Sequence, residues 1–117
     1  MDMPEADLLQ IEHDLTQFLT TAGFQPATDE TGGFSLTRHT DSISLYWSVG
    51  PRLDEMTIGV DNDHPAQRFW LEVVNIMAIA FAQLLAKAGY AVALQVTHAE
   101  DGDITVRITS GPDMRNQ

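Results

Sequence analysis

Four histidines are the first candidates for chemistry, at His13, His39, His64 and His98. No two stand at His-x-His or His-x3-His spacing, so the chain offers no local metal site. His98 continues the inward register of Val92, Leu94 and Val96 and reads as a strand-end residue. Asp61-Asn62-Asp63 opens like a calcium loop, but a glycine should follow at the sixth position and a glutamate at the twelfth. Here those positions hold Ala66 and Glu72, and Glu72 falls inside a helix. The segment reads instead as a helix start. The serines at 35, 42, 44, 48 and 110 include no Gly-x-Ser-x-Gly elbow. Thr31-Gly32-Gly33 lacks the helix and lysine of a phosphate loop. Glu55, Glu72 and Asp54 would act as acid and base only if the fold brought them together. The expectation is a protein with no catalytic, cofactor-binding or metal-ligating residues, and not an enzyme.

Charge narrows the partners. Seventeen acidic and six basic side chains leave a net charge of −11 across 117 residues. Lys87 is the sole lysine, and the arginines at 38, 52, 68, 107 and 115 are scattered. Nucleic-acid binding needs clustered cations to neutralise phosphates, and anionic membrane surfaces need the same. Neither partner is expected. A protein partner is, and an acidic face would suit a basic one. Cysteine is absent, which removes disulfides and thiolate chemistry. Met1-Asp2-Met3-Pro4-Glu5 shows no basic n-region or apolar h-region, so the expected location is the cytoplasm.

Apolar residues make up 44% of the chain, enough for one core without staples. One α+β domain is expected over 1–117, with 1–4 and 111–117 mobile. No repeat, low-complexity run or linker is evident. Leu8, Ile11, Leu15, Phe18, Leu19 and Ala22 form a helical stripe from about Pro4 to Ala22. Gly23 suits the left-handed cap that ends it, with Phe24 folding back on Leu19. Residues 25–33 read as a loop. Phe34 and Leu36 alternate into one strand, and Ile43, Leu45, Trp47 and Val49 into a second, with a hairpin at His39-Thr40-Asp41. Met56, Ile58 and Val60 alternate into a third. Asp63 or His64 caps a second helix with Pro65 in its first turn. That helix runs to Ala88, Gly89 caps it, and Tyr90 folds back on Leu85. Two further strands follow around Val92–Val96 and Ile104–Ile108, joined by the Asp101-Gly102 turn. The order is α-β-β-β-α-β-β, an antiparallel sheet packed against the long second helix.

The second helix approaches the length of a membrane span, but Glu72, Asn75 and Gln83 interrupt it and a soluble-type sheet surrounds it. Phe69, Trp70, Val73, Val74, Met77, Ala80, Phe81, Leu84 and Leu85 fill one broad face, which should be the core. Ala78, Ala82 and Ala86 form a smooth ridge on the flank of the other side, with Asn75 and Ile79 beside it. Small ridges let another helix approach closely. These five residues are the expected dimer or partner interface, unless the first helix or the tail covers them.

The element order in a small acidic chain resembles the type III secretion chaperone fold, shared by the YbjN-like bacterial proteins. Phe69-Trp70-Leu71-Glu72-Val73-Val74-Asn75 looks like the corresponding helix start in YbjN-like sequences. The resemblance covers roughly residues 5–109 and is architectural. It implies a homodimer that binds polypeptide and catalyses nothing, with Tyr46 and the serines of the second strand as an outer face that accepts it. The alternative is an acidic inhibitor or immunity-type protein that masks a basic site on its partner.

Overall fold

The computed structural model describes residues 3–61, 64–98 and 103–112. Helix α1 spans Glu5–Thr21, with Glu5 and Asp7 in the first turn where carboxylates favour the helix dipole. Leu8, Ile11, Leu15 and Leu19 are its buried stripe. Each stabilises the fold by about 1.5–3 kcal/mol through lost apolar exposure. Gly23 is left-handed at φ 105°, and the Phe24 amide returns to the Leu19 carbonyl at 2.9 Å. The long helix α3 spans Pro65–Ala88. His64 caps it, its ring Nδ1 accepting the Ala66 amide at 3.1 Å, and Pro65 takes the first position, where a missing amide costs nothing. Asp63, the other expected cap, lies outside the described residues. Gly89 ends α3 at φ 101°, and the Tyr90 amide returns to Leu85 at 3.0 Å.

Strands β1 (Gly33–Arg38) and β2 (Ile43–Ser48) form the expected hairpin, with Phe34 facing Trp47 and Leu36 facing Leu45. Strands β3 (Ala91–His98) and β4 (Asp103–Ser110) form a second hairpin. Its turn at residues 99–102, with the expected Asp-Gly pair, lies outside the described residues. The two hairpins join through β2 and β4, antiparallel, giving the strand order β1-β2-β4-β3. Helices α1 and α3 cover one face. Their apolar stripes close on Phe34, Ile43, Leu45, Val106 and Ile108 in a single core. Phe24, Trp47 and Phe81 meet edge-on or tilted within it, ring centroids 5.0–6.4 Å apart. The α+β class and the antiparallel sheet under a long apolar helix are as the sequence implies.

The third strand is not formed. Pro51–Met56 is instead a short helix, α2, which packs on α3. Proline pre-sets a helical φ and suits a helix's first turn. Arg52 to Met56 then favour helix over strand. The alternation of Met56, Ile58 and Val60 is broken at Gly59, which turns left-handed at φ 73°. The order is therefore α-β-β-α-α-β-β. Of the ends expected to be mobile, residues 3–4 and 111–112 are described. The Met3 amide bonds to the Thr40 carbonyl at 2.8 Å, and its side chain packs on the core. Gly111 is buried.

A repeat that composition does not reveal is present in the topology. The chain consists of two helix–hairpin units, α1-β1-β2 and α3-β3-β4, with α2 between them. A pseudo-two-fold between β2 and β4 exchanges β1 with β3. The helix ends share a short signature: Leu19-Thr20-Thr21-Ala22-Gly23-Phe24 and Leu85-Ala86-Lys87-Ala88-Gly89-Tyr90. Both bring an aromatic residue into the same core through the same left-handed glycine.

Candidate functional site

Polar side chains gather most densely at the β1–β2 turn. The Ser42 hydroxyl donates to Asp41 Oδ1 at 3.1 Å, and Arg107 Nη2 of β4 donates to Asp41 Oδ2 at 2.6 Å. Ser42 first, and Arg107 after it, hold the Asp41 carboxyl below its ordinary range against partial desolvation. His39 Nε2 lies 2.8 Å from the Ser44 hydroxyl. A serine–histidine contact is the start of a nucleophilic pair. Among the described residues no carboxylate bonds to the other His39 nitrogen, and the pair sits on the exposed face of the sheet rather than in a cleft. Arg38 Nε pairs with Glu12 Oε2 at 2.9 Å as an ion contact without hydrogen-bond alignment, which ties β1 to α1. A shallow groove of about 420 Å3 lies beside it, lined by Met3, Glu5, Leu8, Arg38, His39 and Thr40. These contacts fasten the turn to α1 and β4.

The histidines stay apart. His13 is exposed on α1, His39 is at the hairpin and His64 caps α3. The His98 side chain and residues 62–63 of the calcium-like segment lie outside the described residues. Among the described residues no group of three metal-ligating side chains converges. The serines of β2 bond within the sheet: Ser48 meets Ser35 at 2.9 Å, and Ser44 meets His39. Ser42 is buried. That face presents hydroxyls already paired.

The five residues expected at an interface divide. Ala78 is 1% exposed and belongs to the core with Val74, Phe81 and Leu85. Ala82 is half-buried against the same core. Asn75 turns inward: its Oδ1 accepts the Ile104 amide at 3.0 Å, where β4 runs past the last residue paired with β2. Ile79 and Ala86 are exposed. The expected core face shifts accordingly. Phe69 and Leu84, assigned to the interior, are both exposed. The helical wheel placed the stripe's centre too far toward Val73 because nearly every residue of α3 is apolar, and periodicity then fixes orientation weakly.

The side of α3 turned to solvent mixes Arg68, Glu72, Gln83 and Lys87 with large apolar side chains. Phe69 is 55% exposed and Ile76 64%, with Ile79 beside them. Below this, on the core-side face of the sheet, Leu94 and Val96 of β3 are 49% and 57% exposed although they pair with the buried Val106 and half-buried Ile104. Between Pro65 and His98 the charged residues are Arg68, Glu72 and Lys87 alone. In a strongly acidic protein this segment thus holds two cations and one carboxylate, with large exposed hydrophobic side chains. That sparseness was readable as a gap in the charge pattern. The exposure was not. By length and mean hydropathy, 1.8 over its most apolar window, α3 is also long and apolar enough to cross a membrane. Its Val74-Ala78-Phe81-Leu85 stripe is spent on the protein's own core. Comparison with protein-family models, curated proteins and solved structures gives no match.

Proposed function

We propose that the protein is a non-catalytic protein-binding module, a chaperone-like homodimer that holds a segment of a partner polypeptide. The observation that carries this reading is the row Phe69, Ile76 and Ile79 on the outer face of α3. Large apolar side chains grouped on a rigid helix lose free energy by facing water, and burial against a partner recovers it. They recur at spacings of seven and three, which places them along one face of the helix. A partner segment with its own apolar stripe matches that face. The resemblance to the secretion chaperones agrees with this class, although α2 stands where a third strand was expected. The turn cluster around Asp41 lacks an enclosed pocket and an oriented base, which favours a binding role over catalysis.

The test compares tagged wild-type protein with the double variant Phe69→Glu, Ile76→Glu. A polypeptide retained by the first and lost by the second is identified by mass spectrometry, purified and titrated by calorimetry. The expected result is at least a tenfold loss of affinity in the variant, about 1.4 kcal/mol. Equal affinity for both proteins overturns the reading.

The second reading is an acidic inhibitor that masks a basic site, and the charge distribution supports it. Among the described residues carboxylates cluster on α1 (Glu5, Asp7, Glu12 and Asp14) and on the following loop (Asp29 and Glu30), whereas α3 carries one, Glu72. A partner held there binds with affinity that falls steeply with salt, because exposed charges are screened within about 8–10 Å. A partner held on Phe69 and Ile76 shows little salt dependence.

A further inference from the structure

The sheet has two edges, and they are treated differently. At β1 the segment after α1 folds back along the edge. The Phe34 amide donates to the Gln25 carbonyl at 3.0 Å, and the Ala27 amide donates to the Phe34 carbonyl at 2.9 Å. Pro26 completes a parallel bridge to Phe34. A proline on that edge blocks further pairing. The backbone approaches so closely that a side chain at Gly33 would strike the Gln25 carbonyl. Arg38 adds a charge at the end of the strand. In the second helix–hairpin unit the chain passes from Gly89 and Tyr90 directly into β3. Among the described residues no segment pairs along the equivalent edge.

Strand β3 lacks the charged and proline residues that guard an edge. It is eight residues long, Ala91 to His98, with no lysine, arginine, proline or carboxylate. Its register irregularities lie at its two ends, between Ala91 and Val92 and between Val96 and His98, and leave the middle regular. Long, uncharged, apolar edge strands pair with another strand. Leu94 and Val96 stand half-exposed on the helix side of that edge. Leu84 is exposed on the flank of α3 opposite Asn75 and Ala82, the two side chains that turn toward the rest of the fold.

We infer that a second copy of this chain pairs with β3 in antiparallel fashion about a two-fold axis, joining two four-stranded sheets into one of eight strands. Charge selects the occupant. A basic partner would seek an acidic face, yet β3 carries no lysine, arginine or carboxylate from Ala91 to His98. Two copies that each carry −11 meet with least repulsion where carboxylates are absent from the contact. A two-fold also sets Leu94, Val96 and Leu84 against their own copies, so backbone pairing and side-chain burial coincide. The internal pseudo-two-fold already joins β2 to β4 in this antiparallel way, and the dimer repeats it at β3. The proposal rests on the homodimer part of the function above and assigns its seam.

The test uses the full chain and sedimentation. Wild type is expected to sediment as a dimer, and Leu94→Lys as a folded monomer of half the mass with unchanged far-ultraviolet circular dichroism. A lysine pointing inward from an edge is how natural sheets prevent this pairing. Because the protein has no cysteine, Ala93→Cys, Leu94→Cys and Gln95→Cys, made one at a time, report the seam without removing it. Mild oxidation should cross-link copies most strongly at the position nearest the two-fold axis. A wild-type monomer at high micromolar concentration overturns the homodimer and the seam together. A wild-type dimer that survives Leu94→Lys, and gives no cross-link at any of the three positions, overturns the seam alone. Loss of polypeptide binding in Phe69→Glu, Ile76→Glu with the dimer intact leaves the seam standing.

Discussion

Ser42 donates to one oxygen of Asp41 while Arg107 closes on the other, and both contacts favour the charged carboxylate. A carboxyl whose folded pKa is depressed contributes stability that is fully present above its unfolded value. That contribution is lost as pH falls through the lower folded value. The Asp41–Arg107 pair is part-exposed on both sides, so its contribution is of the modest surface kind. Replacing Asp41 with asparagine should therefore lower Tm slightly at pH 7, and the gap to wild type should close in strong acid. A carboxyl-carbon titration by NMR separates the two causes. Ser42→Ala should raise the Asp41 pKa more than Arg107→Gln does, since the hydroxyl contact is the larger influence. The reverse order would mean that the charge dominates. This residue pair was invisible in the sequence, where Asp41 and Arg107 stand 66 positions apart.

The two helix ends are built alike but tolerate change differently. At Gly23 nothing lies within 4 Å of where a Cβ would sit, so Gly23→Ala should cost only the left-handed strain, about 1 kcal/mol or about 4 °C in Tm. At Gly89 the same atom would stand 3.2 Å from the Pro112 Cβ. Gly89→Ala should cost more than Gly23→Ala in a thermal melt, and equal costs would mean that Pro112 moves aside freely. Asn75 joins two elements rather than two molecules. Asn75→Leu removes the acceptor of the Ile104 amide where β4 has parted from β2, and should destabilise by about 1–3 kcal/mol in urea. Oligomeric state should not change. Both glycines and their returning aromatics were legible from local spacing, because a Schellman-type end is decided within six residues. The third strand misled for the converse reason. Its alternation was genuine, but Pro51 and Gly59 set the backbone before side-chain period had any effect.

For the whole molecule the controlling quantities are the acidic excess, a net charge of −11, and the large apolar side chains left exposed on α3 and β3. At pH 7 repulsion among the carboxylates opposes the close approach of copies. Protonation toward the pI of about 4.4 removes that repulsion while Phe69, Ile76 and the β3 edge stay exposed. Light scattering should rise as pH falls toward that value, and Leu94→Lys should shift the onset to lower pH. Scattering that stays flat through the same range would show that these exposed apolar side chains are not adhesive.

The sequence by itself determined the class, the helix ends, both hairpins and the acidic excess, because each rests on local spacing or on a sum over residues. It also excluded metal and nucleotide motifs that depend on short, fixed intervals. Only tertiary structure decided which way α3 faces. With apolar residues nearly all round, the choice between Ala78 and Phe69 as the buried side depends on where α1 and the sheet place their own stripes. The same holds for the edges. Two strands of similar apolar pattern become a covered edge and an open one because residues 25–27 fold back along β1 while the chain enters β3 without a loop to spare. Non-local packing of this kind has no period in the sequence, yet it sets which apolar side chains and which strand edge stay exposed.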